Sequence, residues 1–435
     1  MKNGFYSMAM AMALAAARNL ATAVGLATLC GLVQAQSLVE LLQRTLQTHP
    51  AVMGQQSQRA VSAAELEFAH QQFYPTPSVS IEQVNAGSQD PSYLQSTTVK
   101  LFRLQQPLWT HGRLTAGVQK ATANVEVSAN GFDDIRQQLA LRVIQSWADA
   151  YAADLKQVAL QASVLTHERL QGQVTRRIAE GASAATERVL TDGRLAQTRA
   201  QLQSVAVQAE TARLRLQQLA GATENMILQA ETERVLVTES AAAALDAAKQ
   251  RSPAIRRLRA TVAVQEADVL ERKADLLPEL YARAEYQIGS TSISGAPDSQ
   301  RIFVGLQSKF GAGLSSLAGV EASQGKVGVA RAEVESAERT LAEQVLSDWA
   351  QIATLKVRQT ELEESLQASR ETAQAWDRQF LAGRKTWVEV MNMARELAQA
   401  ETELADVRAV RVLVSWRLAL YTQGLDGLLG GISTP

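Results

Sequence analysis

Few residue types in this 435-residue chain are able to do chemistry. Its four histidines, His49, His70, His111 and His167, show no metal-ligand spacing. None sits in the His-Glu-x-x-His pattern that pairs two ligands with a general base. The one cysteine, Cys30, lies in an apolar N-terminal stretch, so thiol chemistry is not expected of the mature chain. Gly311-Ala312-Gly313 is too short to cradle a phosphate. The chain therefore reads as a non-enzyme, with no cofactor and no metal. What remain are charged and polar side chains in two settings. Glu82, Lys100, Arg283, Glu285 and Arg301 lie in segments that alternate polar and apolar residues. Thr186 and Glu187 follow a glycine break at Gly181, and Lys385, Glu389 and Asn392 follow another at Gly383. Such groups make breakable ion pairs and solvated linings rather than covalent steps.

Several classes are excluded by composition. Lys2 and Arg18 precede an apolar, small-residue stretch from Leu20 to Val33, and Val33-Gln34-Ala35 fits a signal cleavage site. Residues 1–35 are expected to be a secretory signal peptide. Leu29 before Cys30 fits a lipid-anchor site poorly. Cutting after Ala35 removes the positive charges of Lys2 and Arg18 and takes the net charge from −1 to −3. There is no basic excess to suggest nucleic acid. Aromatics are only 5% and prolines nine, while Ala, Gln, Glu, Leu and Arg dominate long stretches. That is the signature of long helices packed in coiled-coil fashion. No apolar run after residue 35 suits a transmembrane helix, so any membrane span must be built from strands.

The elements that must position these residues come in two copies, about 200 residues apart. His49-Pro50-Ala51-Val52 returns as Ser252-Pro253-Ala254-Ile255, Pro75 as Pro278, and Ser146-Trp147-Ala148 as Asp348-Trp349-Ala350. The period is far too long for a solenoid unit, so it marks a duplicated half-molecule. The division is 36–225 and 226–435. Each half begins with a short helix, expected from Ser37 to Phe73 and from Ser240 to Leu276, that a proline stops. The period then changes to two, giving hairpins over 78–104 and 280–310. Val79 and Ile81 alternate with Ser80 and Glu82, and Val99 and Leu101 flank Lys100. Leu280, Ala282, Ala284, Tyr286 and Ile288 alternate with Tyr281, Arg283, Glu285 and Gln287. The turns fall near 87–95 and 291–299. Tyr74, Trp109, Tyr281 and Phe310 lie near strand ends, where interfacial aromatics belong. Strand alternation puts Glu82, Lys100, Arg283, Glu285 and Arg301 on the polar faces, which would line the lumen if the strands close a barrel.

Next comes a helical rod from Gly112 to Gly181, with apolar residues at three- and four-residue steps. It would run about 100 Å. A return helix covers roughly 183–219. The pair recurs as 317–381 and a helix to Tyr421, with the tips near 181 and 383. A rod of this length must pack on other rods. Four strands do not close a barrel, and an open edge is not tolerated in lipid. If the strands span a membrane, several chains must share one barrel. The same strands also fit a soluble two-hairpin sheet, and the whole chain a soluble periplasmic coiled-coil adaptor or scaffold.

The order, duplication and spacing of these segments resemble the TolC family of outer-membrane export ducts. The resemblance runs through Leu38-Val39-Glu40, Thr48-His49-Pro50, Gln106-Pro107-Leu108-Trp109-Thr110-His111-Gly112-Arg113 and Ala274-Asp275-Leu276-Leu277-Pro278. It covers Ser37 to about Leu425. It implies a mainly α homotrimer with a transmembrane β part, each protomer giving four strands to a shared twelve-stranded barrel in the outer membrane of a Gram-negative bacterium. The helical hairpins would form a periplasmic coiled-coil tunnel, closed at the tips by polar contacts that a partner breaks. On that resemblance Lys385 takes the place of the gating arginine, and Thr186 and Glu187 those of its partners. Glu389 stands at the first position of an acidic entrance ring. Asn392 occupies the second, where an acidic residue is expected, which leaves one ring. A Glu187–Lys385 contact at an exposed tip would contribute under about 1 kcal/mol, which suits a latch. Phe380 to Asn392, followed by Arg395-Glu396-Leu397, resembles the tip of type I secretion members that export large adhesins. The partners implied are a periplasmic membrane-fusion adaptor and an inner-membrane ABC transporter. The alternative is a multidrug efflux pump driven by protons.

Overall fold

Caps, prolines and glycines decide where the helices begin and end. The computed structural model describes residues 35–85, 96–221, 227–228, 240–290, 293, 296–308, 311 and 315–430. The expected signal peptide, apart from Ala35, lies outside them, as do Phe310, the first turn and residues 291, 292, 294 and 295 of the second. Helix α1 (Leu38–Thr48) opens on a capping box. The Ser37 hydroxyl accepts from the Glu40 N–H, and the Glu40 carboxylate accepts from the Ser37 N–H at 3.1 Å. The single short helix expected over 37–73 is in fact two. Pro50 has no N–H to continue α1, so it starts α2 (Pro50–Gln71), and His49 caps it with Nδ1 accepting from the Ala51 N–H at 3.1 Å. The second copy breaks in the same way, into α5 (Ala241–Arg251) and α6 (Pro253–Ala274), with Ser252 as the cap. Two residues ahead of α1, β1 (Ala35–Gln36), pair in parallel with β4 (Ile227–Leu228) in the link between the halves.

The rods are as long as their apolar seams suggested. Helix α3 (Arg113–Ala179) and helix α7 (Ser315–Leu381) each have 67 residues, about 100 Å at 1.5 Å per residue. Their return helices are α4 (Ala185–Ala220) and α8 (Trp387–Gly430), the latter interrupted at Gly424. Helix α3 packs on α4 and α8, and α8 packs on α7, which gives the order α4–α3–α8–α7. Helices α2 and α6 run along α3, and α6 also touches α7. The two halves are thus bound to each other through α3.

The largest core lies where α1 crosses the rods. Leu38, Leu41 and Leu42 are buried against Val143, Ile144 and Trp147 of α3, Leu216 of α4, and Trp416 and Leu420 of α8. A smaller copy joins Ala244 and Ala248 of α5 to Val345 of α7 and Leu418 of α8. Here the repeat diverges. Ser146 of the first half becomes Asp348 in the second, and its side chain is fully buried. Arg417 grips both Asp348 oxygens, at 2.7 and 2.5 Å, and Gln344 donates at 2.9 Å.

Between the short helices and the rods stands one antiparallel sheet in the order β2-β3-β5-β6, made of β2 (Thr76–Asn85), β3 (Ser96–Trp109), β5 (Glu279–Ile288) and β6 (Ser299–Gln307). Register assigns the two faces. Residues opposite one another share a face, so Val79, Phe102, Tyr286 and Gln300 form one row, and Ala284 and Ile302 continue that face. This face is apolar and turned outward: Ile302 is 84% exposed, Val304 71% and Ile81 67%. A soluble two-hairpin sheet would bury such a face. The other face carries Ser80, Glu82, Arg103, Arg283, Glu285 and Arg301, and it is the more enclosed one. Two expectations are corrected here. Lys100 lies opposite Ile81 and Ile288, on the apolar face rather than with Glu82. Leu101 and Phe102 are adjacent apolar residues, so β3 fits either phase, and only the register chooses. Tyr281 lies opposite Gly305 on the polar face, not at a lipid boundary. Tyr74 and Trp109 are exposed, as an interfacial position requires.

Removing one partner of a buried ion pair strands the other charge and costs about 3–5 kcal/mol. Asp348→Ala is accordingly expected to lower the guanidinium midpoint of the purified protein strongly, and Glu187→Ala at an exposed tip only slightly.

Candidate functional site at the helical tips

Both rods end in the same backbone motif. At the first tip the Ala182 N–H donates to the Arg177 carbonyl at 2.8 Å and the Gly181 N–H to that of Ile178 at 3.0 Å. At the second, the Arg384 N–H donates to Gln379 at 2.8 Å and the Gly383 N–H to Phe380 at 3.0 Å. Gly181 and Gly383 hold φ of 76° and 73°, a left-handed conformation that other residues adopt at a cost. The duplicated glycines therefore make two equivalent reversals.

The side chains around them are not equivalent. At the second tip Thr386 precedes α8 and forms a capping box with Glu389. The Glu389 carboxylate accepts from the Thr386 N–H and hydroxyl, both at 2.8 Å, and the Glu389 N–H donates back to the hydroxyl at 3.4 Å. The other Glu389 oxygen accepts from the Lys385 ammonium at 2.7 Å. That ammonium also stands 4.1 Å from the centre of the Trp376 ring, a cation–π contact. The bond from Lys385 and those from Thr386 hold the Glu389 carboxyl at about 2, well below its ordinary 4.5. At the first tip the residue preceding α4 is Ala184, which has no capping group. Glu187 occupies the place of Glu389, and its Oε2 is buried without a hydrogen-bond partner.

The residues singled out by sequence are thus distributed as follows. Lys385 and Glu389 meet each other. No Glu187–Lys385 contact forms within the chain among the described residues, because Lys385 is already engaged with Glu389 and Trp376. Thr186 and Asn392 are exposed. On the sheet, Glu285 joins Arg103 of the facing strand at 2.9 Å and Arg283 at 3.0 Å, the latter pair not aligned for a hydrogen bond. Arg301 donates to Gln287 at 2.5 Å and to Ser299. Arg103 escaped the sequence reading because the phase of β3 was ambiguous.

Sequence reasoning also missed what joins the two tips. Leu170 and Val174 of α3 are fully buried against Phe380 of α7 and Trp387, Val390, Met391 and Ala394 of α8. The Arg177 guanidinium donates to the Phe380 carbonyl at 2.9 Å and lies 4.9 Å from the Phe380 ring centre. A buried Leu, Val or Phe side chain contributes roughly 1.5–3 kcal/mol, several times an exposed ion pair. A signal was present: Trp376, Phe380 and Trp387 crowd one short stretch of a chain poor in aromatics. Five of the nine buried side-chain atoms without a hydrogen-bond partner, among the described residues, also lie here: Gln173 Oε1, Arg177 Nε, Glu187 Oε2, Asp377 Oδ1 and Trp387 Nε1.

Comparison with known proteins bears on both regions. The model of the outer membrane efflux protein family matches residues 41–222 and 244–422. No curated protein sequence matches the chain. Among solved structures, the outer-membrane channel OprN is 17% identical, with 90% of each chain covered and a TM-score of 0.78. The Campylobacter jejuni CmeC outer membrane channel is 12% identical, covering 92% of this chain and 87% of its own, with a TM-score of 0.77. The outer membrane protein VceC of Vibrio cholerae is 14% identical, covering 89% of this chain and 96% of its own, with a TM-score of 0.74.

A carboxylate whose pKa is lowered on folding contributes stability that is fully present above its unfolded value and is lost as pH falls through its folded one. The second tip should therefore keep its cap from pH 8 to pH 5 and lose it progressively between about 4.5 and 2. Hydrogen exchange of the Thr386 amide measures this. A protection factor, the rate relative to an unstructured peptide at the same pH, that already falls near neutrality would contradict the cap.

Proposed function

Because the chain belongs to the outer membrane efflux protein family, we propose that it is the duct of a tripartite export system, carrying cargo from an inner-membrane transporter and an adaptor through the periplasm and the outer membrane. Channels of this family are trimers in the Gram-negative outer membrane that work with periplasmic adaptors and inner-membrane pumps; it is a transport family rather than an enzyme family. The observation that carries the proposal is the sheet with its apolar face outward, its charged face inward and both edges open. Three such sheets close a barrel with no free edge. Residues 1–35 act as the leader, and residues 36–225 and 226–435 as two wall segments.

Within that duct the tips form the gate. Gly181 and Gly383 set the reversals, while Thr186, Glu187, Lys385, Glu389 and Asn392 surround the entrance. Glu187 Oε2 has no hydrogen-bond partner among the described residues, and the latch reading places the cation that meets Glu187, Lys385 or Arg384, on a neighbouring protomer. Glu82, Arg283, Glu285 and Arg301, joined by Arg103, line the barrel. Two readings of the cargo have support. The tip sequence from Phe380 to Asn392 favours a large secreted protein passed on by an ABC transporter. The family description favours small-molecule efflux.

Glu187→Ala and Lys385→Ala should each raise the passive conductance of the purified channel in a planar bilayer several-fold. Unchanged conductance in both would remove the latch. Deleting the gene separates the cargo readings: loss of a large surface protein supports secretion, and hypersensitivity to toxic compounds supports efflux.

A further inference from the structure

One face of the wall of rods carries a charge that the composition of the chain does not suggest. Helix α3 turns about 100° per residue, so Val143, Ile144 and Trp147, which pack on α1, lie about half a turn from Arg142, Gln145 and Asp149. On that opposite side a cavity of about 670 Å³ is lined by all four rods, among them Arg142 of α3, Arg215 of α4 and Arg417 of α8. A second, of about 450 Å³, continues the same side of α3 between α4 and α8, about 25 Å nearer the tip. Lys156, Arg194 and Arg395 line it, with His167 buried beside them. The rods of three chains, packed at about 10 Å, enclose a bore roughly 30 Å wide, which α1 and α5 of three chains would largely fill. Helix α1 therefore stands outside the duct, and both cavities open on its bore.

Elsewhere the rods pair their arginines across helices: Arg199 with Glu168 at 2.7 Å, Arg370 with Glu401 at 2.9 Å and Arg408 with Glu363 at 2.7 Å. The two cavities break this habit. Among the described residues Arg142, Arg215 and Arg395 meet no carboxylate, and Arg194 donates to the uncharged Gln197 at 3.2 Å. Arg417 is engaged with Asp348, and Lys156 with Asp406 at 2.6 Å. The carboxylate left over is Asp149, which accepts from Gln145 at 2.9 Å. Four guanidiniums thus stand against one carboxylate, in a chain of net charge −1. The polar face of the sheet leans the same way even with Glu82 counted. Arg103 and Arg283 share Glu285, and Arg301 bonds to the uncharged Gln287 and Ser299.

A guanidinium without a carboxylate offers its fork of N–H donors to the carboxylate of a ligand. A groove with low-dielectric walls concentrates the potential of such charges. We propose that the bore carries a carboxylate-binding stripe, with one station at Arg142 and Arg215 and another at Arg194 and Arg395, and that the cargo of the duct is anionic. Resting on the duct reading, this narrows the cargo to molecules that bear several carboxylates. An acidic polypeptide and a small polycarboxylate share that chemistry. At 0.15 M salt, charge interactions fade over about 8 Å, less than the radius of the bore, about 15 Å. The stripe therefore acts on cargo that touches the wall rather than on simple ions crossing the centre.

The test records the purified channel in planar bilayers. At about 0.15 M KCl, oligoglutamate should interrupt the current about tenfold more often than oligolysine of the same length, and about 1 M KCl should remove the difference, because the screening length falls to about 3 Å. Arg142→Gln with Arg215→Gln, or Arg194→Gln with Arg395→Gln, should each cut the interruptions several-fold in trimers that migrate normally. These side chains hold no carboxylate in place, so the wall stays packed without them. Equal interruption by oligolysine, or an unchanged rate in both double variants, would overturn the stripe while leaving the duct reading intact. Interruptions that citrate suppresses would extend the stripe to small polycarboxylates, and interruptions that citrate leaves alone would assign it to acidic chains. A parent protein that forms no pores would overturn the duct reading, and this inference with it.

Discussion

A four-stranded sheet with its apolar face outward and both edges open has one stable environment. Lipid rewards the apolar face but tolerates no unpaired backbone, so the sheet must close on other chains. Everything below it follows. A barrel shared by three chains needs three identical walls to carry it, and the rods that continue from β3 and β6 are those walls. Helix α3 begins four residues after β3 ends, at Arg113 after Trp109. The tilt and spacing of the strands are therefore handed on to the tunnel with little slack. Arg113 reinforces the junction by reaching back to Glu279 of β5 at 3.0 Å.

The duplicated half supplies the geometry, and its point differences supply the behaviour. Both copies break their short helix at a proline and reverse their rod at a left-handed glycine. Within that shared frame, Ser146 has become Asp348, whose fully buried carboxylate pairs with Arg417 and ties α7 to α8 in the second half. Ala184 has become Thr386, and one tip is capped where the other is not. Side-chain replacements on a conserved backbone thus turn two like hairpins into a fastened one and one with a spare carboxylate.

Much of the candidate site was legible in the residues, but its pairings were not. The glycine breaks, the charges beside them and the charged strands all lie where the sequence suggested. The Glu187–Lys385 contact does not form within the chain, because Lys385 has nearer claims on it from Glu389, one helical turn away, and from Trp376 across the reversal. Lys100 was misassigned for a related reason. Alternation says which residues share a face within one strand, but Leu101-Phe102 permits two phases. The hydrogen-bond register with β2 and β5 selects one of them.

The sequence by itself determined the class of the molecule: rods about 100 Å long, strands of period two, and a repeat of the whole pattern. These are local properties, set by caps, prolines, glycines and apolar spacing, and they are readable one segment at a time. Tertiary structure alone decided which face of β3 meets lipid, that α3 ties the halves together, and that Leu170 and Val174 close over Phe380 and Trp387. Those outcomes depend on residues some 200 positions apart arriving at the same place. Contact at that range is selected by total burial and register, which no single segment encodes.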